Sequence, residues 1–293
     1  MDKSLASTNF QICSKHQYKN SPQFIEYESW YLDLVCNNWT AIQCPNNQFV
    51  AIPLKRNFIF TKVYRPPLIQ KFILPEMALS GFTNFLNLIR ENYCAGLISL
   101  NANFSIGSGL VKKERINYTL ALHNSYQNLY KSYTNHHKRS LHKCQKAQLK
   151  ITTTDNVDQF NKFYHSFIDS NIKSAKVDKS LLENLVKLSL SKQSGFIISA
   201  IDANQNIHAA CFFTKFNHRI VYLLAGTSSL GRETCAMYGI INFVIEKFAE
   251  QNYILDFEGS SIPGIAFFMS GFGSQKESYF EYSWKRNILC SLL

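Results

Sequence analysis

The sequence predicts an α+β (mixed α/β) chain of two tandem lobes, each a mostly antiparallel central sheet flanked by helices. Three observations lead there. An order of three strands, a helix and a further strand reads clearly in the C-terminal half and recurs in the N-terminal half. Apolar residues make up 46% of the 293 positions and aromatics 14%, with 23 Phe and 15 Tyr, which supplies buried cores and favours strands. No Gly/Ser/Pro linker separates the halves, so domains at 1–120 and 121–293 are expected to pack tightly, meeting near residues 115–125 with a cleft between them.

The C-terminal elements follow in order. Residues 148–154 (QLKITTT) alternate as a strand. Val157, Phe160, Phe163, Tyr164, Phe167 and Ile168 recur at helical spacing. Asp178 is an N-cap for a helix carrying Leu181, Leu182, Leu185, Val186 and Leu188. Residues 195–201, 207–216 and 219–225 are strand-like runs separated by the polar turns DANQN and NH, an antiparallel meander. Met237, Ile240, Ile241, Val244 and Phe248 share one face of a long helix. Residues 253–257 form a short strand, 262–271 a helix and 278–284 a closing strand. This succession is the element order of the GNAT (N-acetyltransferase) fold.

In the N-terminal half, residues 39–44, 48–54 and 58–64 read as strands. A helix from Pro75 or Glu76 carries Phe82, Phe85, Leu86 and Ile89, and 96–100 is the next strand. Between the halves, 115–122 alternates as a strand. Ser125 then caps a helix carrying Tyr126, Leu129, Tyr130 and Tyr133 before it turns basic. The tryptophans Trp30, Trp39 and Trp284 read as core residues.

No run approaches the roughly 18 apolar residues of a membrane span, and the N-terminus lacks the apolar centre of a secretion signal. A cytoplasmic chain is the expectation. The eight cysteines form no CxxC and no zinc-finger spacing, so neither a disulfide nor a metal is expected. The net charge of +11 suits an anionic partner such as nucleic acid, a phosphorylated cofactor or a lipid headgroup.

Three segments carry candidate chemistry. On a strand, Asp256 and Glu258 would share one face. One carboxylate can accept a proton from an attacking amine while the other orients it, with desolvation and mutual repulsion raising one pKa. The alternative is a structural ion pair with a helix cap at Ser260 or Ser261. Residues 226–234 (GTSSLGRET) join a strand to a helix start, where backbone N–H groups can hold phosphate; a capped polar turn is the plain alternative. His136, His137, Lys138, Arg139, His142, Lys143 and Lys146 make a basic helix, either a solvated face or a phosphate-facing wall.

Several passages resemble the Fem-type acyl- and aminoacyltransferases: YKSYTNHHKRSLHKCQKA (130–147), LDFEGSSIPGIAFFMSGFGS (255–274), YESWYLDLVCNNWTAI and VYRPPLIQ. The resemblance implies two GNAT-like domains, the N-terminal one degenerate. It implies transfer of an acyl or aminoacyl group from an activated donor to an amine, with cell-envelope precursors among the acceptors. Acyl-CoA is favoured over aminoacyl-tRNA because the chain lacks an inserted coiled-coil arm; nucleic acid would be a partner only through such a tRNA. Catalysis then falls to Asp256 and Glu258. Donor binding falls to Gly226, Thr227, Ser228, Ser229, Gly231 and Arg232, although the family's glycine-rich pattern is met only at Gly231. Substrate binding falls to Lys138, Arg139, Gly259, Ser260, Tyr64, Arg65 and Gln70. The matching N-terminal junction contains Pro66 and Pro67, which lack donors, so phosphate binding there is expected to be lost. A basic nucleic-acid-binding protein and a non-catalytic GNAT duplication are the alternative readings.

Overall fold

The computed structural model describes residues 10–18, 25–36, 38–44, 49–58, 61–64, 79–93, 95–100, 103–105, 109–171, 178–260 and 262–285. The elements run β1 (Gln11–Cys13), α1 (Ser29–Val35), β2 (Trp39–Gln43), β3 (Phe49–Phe58), β4 (Thr61–Tyr64), α2 (Leu79–Asn92), β5 (Ala95–Leu100), β6 (Val111–Ala121), α3 (Tyr126–Lys131) and α4 (Asn135–Lys146). They continue with β7 (Lys150–Thr154), α5 (Val157–Asn171), α6 (Lys179–Ser191), β8 (Gly195–Ile201), β9 (Ile207–Phe216), β10 (Arg219–Thr227), α7 (Ser229–Glu233), α8 (Ala236–Phe248), β11 (Ile254–Asp256), α9 (Pro263–Ser270) and β12 (Gln275–Lys285).

The chain divides into two compact units, Met1–Arg115 with Ser278–Leu293, and Ile116–Glu277. The closing strand, read in the sequence as part of the C-terminal domain, therefore groups from Ser278 with the first unit. Its last six residues explain this, since Phe280–Lys285 pair antiparallel with β5, from Phe280↔Leu100 to Lys285↔Ala95. Trp284 Nε1 also donates to the Tyr93 carbonyl at 3.0 Å, and the Tyr282 hydroxyl accepts from Phe104 N at 2.8 Å.

In the first unit the strand order is β1-β2-β3-β4-β5-β12. Neighbours are antiparallel except β4 and β5, which are parallel and have α2 between them in the chain. Trp39, Ile42, Phe85, Ile89, Ile98, Tyr282 and Trp284 meet in its core. Trp30 is only half-buried. The helix expected from Pro75 or Glu76 is described from Leu79 onward; Arg65, Gln70 and both prolines of that junction lie outside the described residues.

The second unit has the order β6-β11-β10-β9-β8-β7, antiparallel except for the parallel pair β10/β11. Its sheet is covered on both faces, which is why the centre of β9, Ala209 to Phe213, is continuously apolar and buried. Ala209, Cys211 and Phe213 of β9 pack with Ile240, Ile241 and Val244 of α8. The intervening Ala210 and Phe212 pack with Phe160, Tyr164 and Val186 of α5 and α6. The period-two split of one strand between two cores is the geometry of the pleat.

In β10 the pairing with β9 skips Leu223, between Tyr222↔Phe213 and Leu224↔Phe212. This bulge reverses the strand's parity. Ile220 and Tyr222 face the α8 core before it. Leu223 and Leu224 then both face the α5 core, and Ala225 returns to the α8 side.

The basic segment is two helices rather than one. Thr134 breaks it, capping α4 by accepting from His137 N at 3.3 Å. His137 is not on the basic face. It is fully buried, with Nε2 2.9 Å from the Phe268 carbonyl and Nδ1 2.8 Å from Thr134 Oγ1. The carbonyl only accepts, so Nε2 carries the proton and Nδ1 accepts from the hydroxyl. Burial holds this imidazole below its ordinary pKa. It is a neutral clamp between α4 and α9.

Among the described residues no helix is long and apolar enough to cross a membrane. Among the same residues no three His, Cys, Asp or Glu side chains gather as metal ligands would.

Candidate functional site

The parallel strands β10 and β11 pair over three positions only, from Arg219↔Ile254 to Val221↔Asp256. Strand β11 then ends while β10 runs on to Thr227. A pocket of about 510 Å³ opens beyond the last pair. The bulged stretch of β10 lines it with Tyr222, Leu223, Ala225 and Thr227. Helices α7 and α8 add Gly231, Arg232 and Tyr238, the residue between them adds Cys235, and α9 adds Ile265, Phe268 and Met269. The chain leaving β11 contributes Phe257, Glu258, Gly259 and Ser260. Apolar side chains thus surround a small set of polar groups, the usual composition of a small-molecule site.

Glu258 is held by its backbone. Its φ is +60°, the left-handed region that non-glycine residues seldom occupy. Its carbonyl accepts from Tyr118 N at 2.9 Å, and its N–H donates to Asp256 Oδ1 at 2.8 Å. The next residue must be glycine. A Cβ on Gly259 would lie 1.7 Å from the Ile116 carbonyl oxygen of β6. An outlier fixed by its surroundings on a pocket wall is where backbone strain accompanies function.

Asp256 is placed differently from the expectation. Because the strand stops there and the chain turns through a left-handed residue, alternation does not carry Asp256 and Glu258 onto one face. The Asp256 side chain is buried, ion-paired through Oδ2 with Arg219 Nη1, and does not line the pocket. The structural ion pair is the arrangement found at Asp256. Ser260 Oγ accepts from Ile262 N at 3.0 Å just before α9.

The 226–232 junction borders both the large pocket and a second cavity of about 300 Å³, lined by Phe163, Ser166, Phe167, Thr227, Ser228, Ser229 and Arg232. Ser228 caps the short α7, its Oγ accepting from Gly231 N at 3.0 Å. Arg232 is exposed, and its Nη1 donates to the Thr227 carbonyl at 2.9 Å. The two glycines serve packing within the protein. A Cβ on Gly231 would sit 2.0 Å from the His208 carbonyl oxygen, and one on Gly226 would be 3.1 Å from the Phe167 ring. Gly231→Ala is therefore expected to cost about 1–3 kcal/mol or more through overpacking against β9 backbone. Urea unfolding checks this, and unchanged stability would contradict the packing role.

The structure thus brings Glu258, Gly259, Ser260, Thr227, Gly231 and Arg232 to one pocket. Ser228 and Ser229 border the neighbouring cavity. Lys138 and Arg139 line neither; Lys138 lies over the Tyr130 ring at 5.5 Å and donates to the Lys131 carbonyl at 3.1 Å. Tyr64 ends β4 in the first unit, and Arg65 and Gln70 lie outside the described residues. Tyr222, Leu223, Cys235, Tyr238, Ile265 and Phe268 are pocket residues that sequence reading did not single out. The only signal for them was position, since they flank the strand–helix junction and the EGSS turn.

No family model matches the sequence, and no curated protein matches it. Solved structures do match in fold. FemX superimposes with a TM-score of 0.65 at 10% identity, over 88% of this chain and 91% of that one. A conserved protein of unknown function from Bacteroides thetaiotaomicron gives 0.55 at 10% identity, over 86% and 84%. The C-terminal DUF2156 domain of an Agrobacterium fabrum protein assigned as a lysylphosphatidylglycerol synthetase gives 0.52 at 10%, over 82% of each chain. The chain therefore has a mixed α/β fold with helix-flanked central sheets, similar to the fold of FemX.

Proposed function

We propose that the protein is an N-acyltransferase of tandem GNAT-like architecture, with Glu258 as general base. One observation carries the reading. Glu258, its backbone fixed in a left-handed turn, is among the residues lining a largely apolar pocket that the bulged strand and the Thr227–Arg232 junction also line, in a chain with the FemX fold. Both units order their elements as antiparallel strands, helix and parallel strand, which supports the tandem reading. The N-terminal unit is the degenerate one, since Pro66 and Pro67 follow its β4.

In the proposed reaction the acceptor amine attacks the donor carbonyl. The C–N bond forms, the bond to the leaving thiol or alcohol breaks, and the amine's proton passes to Glu258. Leu223 has no partner in the register with β9 or β11, and its backbone is the candidate oxyanion donor. A phosphorylated donor, acyl-CoA ahead of aminoacyl-tRNA, would lie along Thr227, Ser228, Ser229 and Arg232. A cell-envelope precursor as the amine acceptor and a cytoplasmic setting belong to the same proposal.

A thermal-shift screen with CoA esters tests it, because a ligand of the native state raises the melting temperature by mass action. Calorimetry with the best ester should show Arg232→Ala weakening binding by roughly 1.5–3 kcal/mol, the range for a hydrogen bond to a charged group. Arg65→Ala should change it less. Loss of binding in Arg65→Ala with none in Arg232→Ala would move the donor to the other unit.

A further inference from the structure

Ile262, Ile265 and Phe267 of the α9 segment are 58%, 41% and 50% exposed. They stand within six residues of sequence, and Ile265 also lines the large pocket. Ile262 and Ile265, three positions apart, lie on one side of this segment, and Phe267 is on the side toward α4, so exposed apolar side chains flank the helix, an unusual surface for water to cover.

The neighbouring surface is basic. The start of α4 packs against α9, with the His136 and Phe267 ring centroids 5.1 Å apart and Thr134 N donating to the Gly271 carbonyl at 2.9 Å. Arg139, His142, Lys143 and Lys146 are exposed on α4, and Lys131 is exposed just before it. No Asp or Glu occurs from Ile116 through Thr154, a stretch with Lys131, Lys138, Arg139, Lys143, Lys146 and Lys150. None occurs from Gly259 through Lys276, the stretch containing α9.

We infer that α9 and the outer face of α4 form a docking surface for a lipid bilayer with anionic headgroups. The apolar side chains of α9 enter the headgroup boundary while the α4 cations meet lipid phosphate. Cations alone would equally suit a nucleic acid, but a phosphate backbone offers no apolar layer for the isoleucines and the phenylalanine. An interfacial helix combines these two features, and juxtamembrane cations add attraction to anionic lipid. The inference does not depend on the proposed chemistry, and its test reads no turnover.

The test is sedimentation of the full-length protein with phosphatidylcholine vesicles, alone or with about one third phosphatidylglycerol. Binding to the anionic vesicles only, weakened by salt, is expected. Ile262→Ser with Ile265→Ser should reduce partitioning about tenfold or more; serine also suits the N-cap position of Ile262. Arg139→Glu with Lys143→Glu should reduce it comparably. Unchanged melting temperatures show that each variant folds. Failure of the wild type to bind anionic vesicles overturns the inference. So does equal binding by the isoleucine variant, which indicates plain polycation adsorption. Retention of RNA through Arg139 and Lys143 without vesicle binding assigns the surface to nucleic acid. A wild-type dimer dispersed by the isoleucine variant, again without vesicle binding, assigns it to a second copy.

Discussion

Asp256→Asn is expected to destabilise the second unit by about 3 kcal/mol or more, the scale for breaking a buried ion pair. Asp256 and Arg219 are at 4% and 18% side-chain exposure, so neither can hydrate freely once its partner is neutral. The same carboxylate accepts Glu258 N through Oδ1, so the substitution also loosens the turn that aims Glu258. Replacing both residues with apolar ones of similar size should recover much of the loss, because the cost lies in the orphaned charge more than in the missing attraction. Urea unfolding of the two single variants and the double variant supplies the cycle. A loss below about 1 kcal/mol for Asp256→Asn would place the pair among surface bridges.

The strands that sequence reading located best were those whose pattern has a single physical cause. Gly195–Ile201 and Ile207–Phe216 match their expected bounds because both are predominantly apolar and are ended by turns with clear chemistry. In the first of these turns Asp202 accepts from Asn204 N and Asn206 N at 2.9 Å each. The cap at Asp178 was legible for the same reason, and its carboxylate accepts Leu181 N at 2.9 Å. The site was less legible because its geometry depends on departures from regularity. The bulge at Leu223 leaves no mark in a run of Val, Tyr and Leu that suits a strand in either parity. The left-handed turn at Glu258 lacks the glycine that would announce it; the glycine follows one residue later, for a close approach to β6. Gly231 resembled a phosphate-binding glycine, and only the position of the His208 carbonyl reveals what it accommodates. The break at Thr134 was hidden because Tyr133 and Leu141 both continue the apolar periodicity of the core.

Glu258→Gln is expected to leave the fold intact and to lower turnover about a hundredfold or more, the range for loss of a general base. The amide is nearly isosteric, so it preserves the backbone hydrogen bonds to Tyr118 and Asp256 and the left-handed turn, and removes only the basic site. Glu258→Asp separates basicity from reach. It keeps the carboxylate but withdraws it by one methylene, and should recover only part of the rate. The measurement is kcat/KM with whichever CoA ester the thermal-shift screen identifies. Equal kcat/KM in wild type and Glu258→Gln would take the proton transfer away from this residue. The pocket could then remain a donor site, but its chemistry would need another base; Tyr238 is one of the other titratable side chains on the wall. Burial raises the pKa of Tyr238, which leaves its phenol a proton donor rather than an acceptor at neutral pH. Glu258 supplies the carboxylate residue of the described wall, and the proton transfer is proposed for it on that ground.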